Sequence, residues 1–121
     1  MKIADANIIL RYLLNDNELF SKEAINIIEE NLIHIPFEVL AEVVYVLEKV
    51  YNIPRSKIQH ALKILINYPN IQTYNKDIFI NAIEIFDEHN IDFVDSILIA
   101  YNHQTNATIF SFDKKLKKLC V

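Results

Sequence analysis

The sequence contains no glycine. Loops that hold phosphates against a glycine-rich backbone, as in Walker or dinucleotide-binding motifs, therefore cannot be built from it. The sharp turn that carries a serine nucleophile also needs glycine, and the four histidines that could serve Ser96 as a base are scattered along the chain. These absences weigh against nucleotide-cofactor enzymes and against serine hydrolases.

Cysteine is nearly absent as well, since Cys120 is the only one. A single thiol excludes a disulfide framework, and this one is best interpreted as an incidental small hydrophobic residue. The apolar runs fall far short of the ~18 residues that suggest a membrane span. Asp5 also interrupts the region where a secretory signal needs its apolar stretch. We therefore expect a cytoplasmic protein with no membrane partner.

The bulk composition is that of a globular chain with a slight acidic excess. Of the 121 residues, 52% are hydrophobic and 23% are charged, which predicts one domain over residues 1–121 with a core of its own. The formal net charge is −4. Generic nucleic-acid binding usually goes with a strongly basic balance, so this charge needs a specific explanation if the ligand is RNA.

Short β-branched segments alternate with amphipathic segments along the whole chain. This alternation predicts a doubly wound α/β fold, a three-layer α/β/α domain with a central parallel sheet. The predicted strands are 1–4, 32–36, 71–74 and 107–112, and the predicted helices are 6–14, 21–30, 37–51, 55–67, 76–88, 92–103 and 113–119.

Several acids follow predicted strands directly or open the next helix. Asp5 comes after the first strand and Asp113 after the last one, so both should reach the edge of the sheet where the carboxyl ends of the strands meet. Glu42 is the only charged side chain in the apolar run 39–47, and a buried carboxylate is costly unless it is paired or bound to a cation. Asp95 lies in the first turn of its helix, three residues after Asp92.

Each acid also has a purely structural interpretation. Asp5 and Asp113 could cap the helices that follow them. Asp92 could do the same, with Asp95 completing a capping-box-like pair. Glu42 could face solvent between helices. If the acids instead converge, they would repel one another unless divalent cations neutralise them, and oxygen ligands of this type suit Mg²⁺ or Mn²⁺. Two such ions would formally offset the net charge of −4.

These acids lie in segments that resemble those of PIN-domain nucleases. They are Asp5 in Ile-Ala-Asp-Ala-Asn, Glu42 in Leu-Ala-Glu-Val-Val, Asp95 in Asp-Phe-Val-Asp-Ser-Ile-Leu-Ile-Ala and Asp113 in Ile-Phe-Ser-Phe-Asp-Lys-Lys-Leu. The small size and the spacing are most similar to VapC-type toxins of type II toxin-antitoxin systems. The resemblance covers residues 3–118, and the order of the four motifs makes it specific.

The resemblance implies a PIN fold that cleaves RNA with Mg²⁺ or Mn²⁺, forms a homodimer and is neutralised by an antitoxin protein. It makes Asp5, Glu42, Asp95 and Asp113 the catalytic, metal-binding acids. Asn7 and Ser111 become supporting hydrogen-bonding residues, and Asp92 becomes a neighbour of the site. The family often has Ser or Thr where this chain has Ala6, which removes one supporting hydroxyl.

Other functions remain open at this point. An RNA-processing PIN nuclease that is not a toxin would share all these residues, as would a PIN-like scaffold that binds without cleaving. A receiver-like signalling domain fits less well, because it needs an acidic pair after the first strand and an acid after the third. For backbone contacts with RNA, the cations nearest the predicted site in sequence are Arg11, Lys114 and Lys115.

Overall fold

The computed structural model describes residues Met1–Val121, which divide into the units Met1–Tyr74 and Asn75–Val121. The first unit contains helices α1 (Ala6–Leu14), α2 (Glu18–Glu30), α3 (Phe37–Tyr45) and α4 (Arg55–Ile66), with strands β1 (Ile33–His34) and β2 (Ile71–Gln72). The second unit contains α5 (Lys76–Glu88), α6 (Phe93–Thr105) and α7 (Lys114–Leu119). None of these helices is both long enough and apolar enough to span a lipid bilayer.

The sheet is parallel, as predicted, but much smaller than predicted. β1 and β2 pair with Ile33 opposite Ile71, and the predicted first strand contributes only an isolated parallel bridge between Ile3 and His34. The predicted strand 107–112 is wrong, because this segment forms no ladder with any other. Its β-type residues set a local preference, whereas a strand also needs a neighbour for its backbone hydrogen bonds.

Local signals determine most helix boundaries. α1 and α5 begin and end at the predicted residues, and the side chains of Asp5 and Asn75 accept hydrogen bonds from the backbone N–H groups at their N-termini. α2 begins three residues earlier than predicted because the Asn17 side chain accepts a hydrogen bond from the Phe20 N–H at 3.0 Å. The predicted helix 37–51 is not uniform, since it changes to a π-helical turn at Val46–Val50.

Asparagine takes the left-handed positions that glycine often occupies. Asn15 and Asn106 end α1 and α6 with φ values of 50° and 62°, and Asn52 has a φ of 54°. Asparagine tolerates this region better than most residues with a side chain. A chain without glycine therefore still terminates its helices sharply.

Each unit has its own apolar interior. In Met1–Tyr74, α1 packs against α2 and α3, and buried residues of these helices include Ile9, Ile28 and Val43. In Asn75–Val121, α5 packs against α6 through aromatic edge contacts. The Phe93 ring lies 5.9 Å from Phe79 and 5.8 Å from Phe86, and both pairs meet edge to face.

Candidate active site

Asp5 occupies the N-cap of α1. Its Oδ1 accepts a hydrogen bond from the Ile8 N–H at 3.1 Å, so the structural interpretation of this acid as a cap is confirmed. The side chain is nevertheless exposed, as is Asn7 in the first turn of the same helix. One bond to Oδ1 leaves further acceptor capacity on a carboxylate, which has about four lone-pair sites. Capping therefore fixes the position of the Asp5 carboxylate and leaves it able to accept further bonds.

Glu42 lies on an exposed face of α3, which corrects the expectation of a buried carboxylate. The helix turns Glu38, Glu42 and Tyr45 outward, while Leu40, Val43 and Val44 are buried. The spacing of the exposed set is that of one helix face. Glu42 and Asp5 thus lie in the same unit, on two helices that pack against each other. The argument that a buried carboxylate needs an ion-pair partner or a cation therefore does not apply to Glu42, which is exposed.

The second unit brings three acids close enough to affect one another electrostatically. The pKa of Asp95 is raised, first by burial of its carboxyl group and then by the negative charges of Asp92 and Asp113. Asp92 precedes α6 and Asp95 lies in its first turn, whereas Asp113 begins α7. We call Asp92, Asp95 and Asp113 the acidic cluster. Asp92 and Asp95 are close in sequence at the start of α6, whereas Asp113 is brought near Asp95 by the fold.

Hydrogen bonds fix Asp113 and the backbone of Asp92 within the acidic cluster. Asp113 caps α7 by accepting from the Leu116 N–H at 2.9 Å, and its own N–H donates to the Ser111 Oγ at 3.0 Å. The backbone carbonyl of Asp92 accepts from the buried Ser96 hydroxyl at 3.1 Å. The Asp92 side chain makes no capping hydrogen bond, although the residue occupies the N-cap position. The capping-box prediction for Asp92 and Asp95 is therefore wrong.

Lys115 makes a further hydrogen bond that could not be predicted from the sequence. Its Nζ donates to the carbonyl oxygen of Asn90 at 2.6 Å, which fastens α7 to the turn before α6. A bond from a side chain to a distant backbone carbonyl leaves no pattern in the sequence. This tie supports the position of Asp113 near Asp95 but also engages one of the cations proposed for RNA contacts.

Arg11 is engaged more completely. Its guanidinium donates to Asp16 at 2.6 Å and to the Tyr51 hydroxyl at 3.1 Å. An ion pair of this kind satisfies much of the charge and occupies part of the fork of donors. Three cations were predicted to contact phosphates. Lys115 is bonded to the Asn90 carbonyl and Arg11 to Asp16 and Tyr51, whereas Lys114 is exposed and takes part in neither set of bonds.

The structure contains no group of three or more His, Cys, Asp or Glu side chains in a metal-holding arrangement. In the second unit, Asp92 and Asp113 lie near enough for their charges to act on Asp95, while Asp5, Asn7 and Glu42 belong to the first unit. The chemistry of the acidic cluster nonetheless suits a hard divalent ion, since the cluster offers carboxylate oxygens, and burial together with the charges of Asp92 and Asp113 raises the pKa of Asp95. The roles assigned to the individual acids remain predictions.

Comparison with known proteins identifies the family. The PIN domain family model matches residues 2–121. No curated protein and no solved structure gave a match. The matched range includes every acid discussed above, and PIN domains are generally nucleases. The chain belongs to the PIN domain family.

Proposed function

We propose that this protein is an Mg²⁺- or Mn²⁺-dependent endoribonuclease whose metal-binding acids are Asp5, Glu42, Asp95 and Asp113. The observation that carries the proposal is the acidic cluster, in which burial and two like charges raise the pKa of Asp95. Such an arrangement is unfavourable for folding alone and is common where carboxylates serve a catalytic site. Because PIN domains are generally nucleases, membership of the family supports a role for this cluster in cleaving a phosphodiester bond.

The chemistry of the donors supports a divalent cation. Oxygen-only ligands suit Mg²⁺ and Mn²⁺, which keep water molecules and accept substrate phosphate oxygens. When bound, such an ion supplies an activated water near neutral pH and stabilises charge on the entering and leaving oxygens. It also offsets the negative charge of the acids, which answers the objection raised by a net charge of −4.

The chain's own residues then have defined tasks. Asp5 and Asp113 present carboxylates that capping bonds hold in position. Ser111 orients the backbone of Asp113, and Asp92 adds negative charge beside Asp95. Asn7 offers an exposed amide in the first turn of α1. We further propose that the two units form one three-layer α/β/α domain, which is supported by a family match that runs through both.

The biological role that we propose is that of a toxin in a type II toxin-antitoxin system, active as a homodimer on RNA and neutralised by a cognate antitoxin. The support is the similarity of size and motif spacing to VapC-type toxins. If no antitoxin gene accompanies this one and expression leaves growth unchanged, an RNA-processing nuclease of the same family becomes the better assignment.

Cleavage of RNA by the purified protein tests the enzymatic part. We expect cleavage of single-stranded RNA with Mn²⁺ or Mg²⁺ and none with a chelator. Asp95→Asn should abolish it, whereas Asp77→Asn, which changes an acid in the first turn of α5, should not. Asp95→Asn should also relieve growth arrest on expression. Cleavage that survives in Asp95→Asn, or that proceeds in the chelator, would contradict the proposal.

A further inference from the structure

Two phenylalanine rings project into solvent directly before Asp113. Phe110 is 93% exposed and Phe112 is 102% exposed, so neither contributes to the core. The phenylalanines of α5 and α6, by contrast, are buried against one another. Single exposed apolar side chains are common, but two fully exposed rings separated by one residue form an apolar surface of the kind that proteins use for binding. They sit in the segment that was predicted to be a strand and is not.

The segment that carries the two rings is anchored at both ends. At its start, Asn102, which is only 6% exposed, donates to the Ala107 carbonyl at 2.9 Å. At its end, the Ser111 hydroxyl accepts from the Asp113 N–H. Between these points exposure alternates, with residues 108, 110 and 112 exposed and residues 107, 109 and 111 half-buried. Phe110 and Phe112 therefore both occupy exposed positions of a short anchored segment, separated by one residue.

The helix that follows is strongly basic. Four of the six residues of α7 are lysines, in a chain whose net charge is −4. Lys114, Lys117 and Lys118 are exposed and have the spacing of one helix face, while Leu116 is buried. Lys115 is engaged with the Asn90 carbonyl. The exposed aromatic rings are therefore continuous along the chain with a local surplus of positive charge.

We propose that Phe110 and Phe112 form a platform on which bases of single-stranded RNA stack, while Lys114, Lys117 and Lys118 bind its phosphates. The inference rests on the proposed ribonuclease function, since it names how that substrate is held. Aromatic rings beside cations are the combination that binds unpaired nucleotides, because every base has a face that can stack. The charge of α7 favours this occupant over an apolar protein surface. Asp113 follows Phe112 directly, so the platform delivers the strand to the acidic cluster.

A single tryptophan provides the direct test. The natural chain has none, so Phe112→Trp introduces a unique fluorophore at the platform. We expect single-stranded oligouridylate or oligoadenylate to quench it, and an RNA duplex of matched length to quench it far less, because paired bases are already stacked. Leu19→Trp is the matched control, since Leu19 is 73% exposed on α2. Its fluorescence should not respond. Equal quenching at both positions would overturn the proposal.

Affinity measurements test whether the aromatic ring of Phe112 contributes to RNA binding. Measured by anisotropy in Ca²⁺, which takes the same class of oxygen ligands as Mg²⁺, Phe112→Ala should weaken single-stranded RNA binding roughly 5- to 100-fold. Phe112→Tyr should bind as the parent does, and Leu19→Ala should leave the affinity unchanged. A variant Phe112→Ala with undiminished affinity overturns the proposal. If that variant instead loses self-association on gel filtration, the rings serve an interface between copies of the chain.

The proposed nuclease activity and the proposed RNA-binding platform can be refuted separately. Quenching of the Phe112→Trp fluorescence by single-stranded RNA, without RNA cleavage by the parent protein, would refute the nuclease and leave the platform standing. Cleavage at parental rate by Phe110→Ala and Phe112→Ala, with parental affinity, would refute the platform and leave the nuclease standing. Both phenylalanines are exposed, so thermal unfolding of these variants should match the parent and exclude misfolding as the cause.

Discussion

Replacement of Asp5 separates its structural role from its proposed catalytic one. Asp5→Ala removes the acceptor for the Ile8 N–H, and loss of an N-cap costs about 1 kcal/mol, with a range of roughly 0.5–2. For a chain of 121 residues this corresponds to a fall in Tm of about 4 °C. Asp5→Asn keeps an oxygen acceptor at the cap and loses only the charge. We expect its stability to change by less than about 0.5 kcal/mol.

The rate of RNA cleavage should depend on the negative charge of Asp5 and not on its capping hydrogen bond. Both Asp5 variants should lower the rate of Mn²⁺-dependent RNA cleavage by about 100-fold or more, because substitutions that merely support a metal ligand already cost roughly 10- to 100-fold. Asn75→Ala is the matched control, since Asn75 caps α5 through the Ile78 N–H at 3.0 Å. It should lose as much stability as Asp5→Ala and keep parental activity. Parental cleavage by folded Asp5→Asn would refute the metal-binding role of this acid.

Three further substitutions test other parts of the structure. The pKa of Asp95 is raised in the folded state, so its charge destabilises the fold increasingly as pH rises from its ordinary pKa through the folded value. Asp95→Asn should therefore have a higher Tm than the parent at neutral pH, a difference that vanishes in acid. Glu42→Gln should lower cleavage while changing stability by less than about 0.5 kcal/mol, since Glu42 is exposed. Asn102→Ala removes hydrogen bonds to Ala107 and Val121 and should cost about 2–4 kcal/mol in urea unfolding; an unchanged midpoint would contradict the anchoring role.

Features that depend on local chemistry could be read from the sequence. The bounds of α1 and α5 follow from a capping side chain and an apolar period, both contained within the helix itself. The capping roles of Asp5 and Asp113 were among the predicted alternatives for the same reason. The parallel direction of β1 and β2 followed from the alternation of strands with helices.

Features that depend on a distant partner could not be read in this way. The segment 107–112 has the composition of a strand, yet nothing in its residues states which strand would pair with it. The apolar run around Glu42 suggested a buried helix, but Tyr45 also lies exposed, and composition does not distinguish a buried tyrosine from an exposed one. The tie between Lys115 and Asn90 is equally invisible, because its acceptor is backbone.

The capping and catalytic interpretations of Asp5 and Asp113 do not compete. In each case Oδ1 accepts one backbone hydrogen bond, at 3.1 Å and 2.9 Å respectively, and this bond holds the carboxylate at the helix N-terminus. A metal ligand benefits from being held, because a fixed carboxylate loses less conformational freedom when it binds an ion. An asparagine or serine would cap as well, so the cap alone does not explain a carboxylate at both positions. Capping does not need the negative charge, whereas binding of a divalent cation does. At Asp113 this charge adds to burial and to the charge of Asp92 in raising the pKa of Asp95.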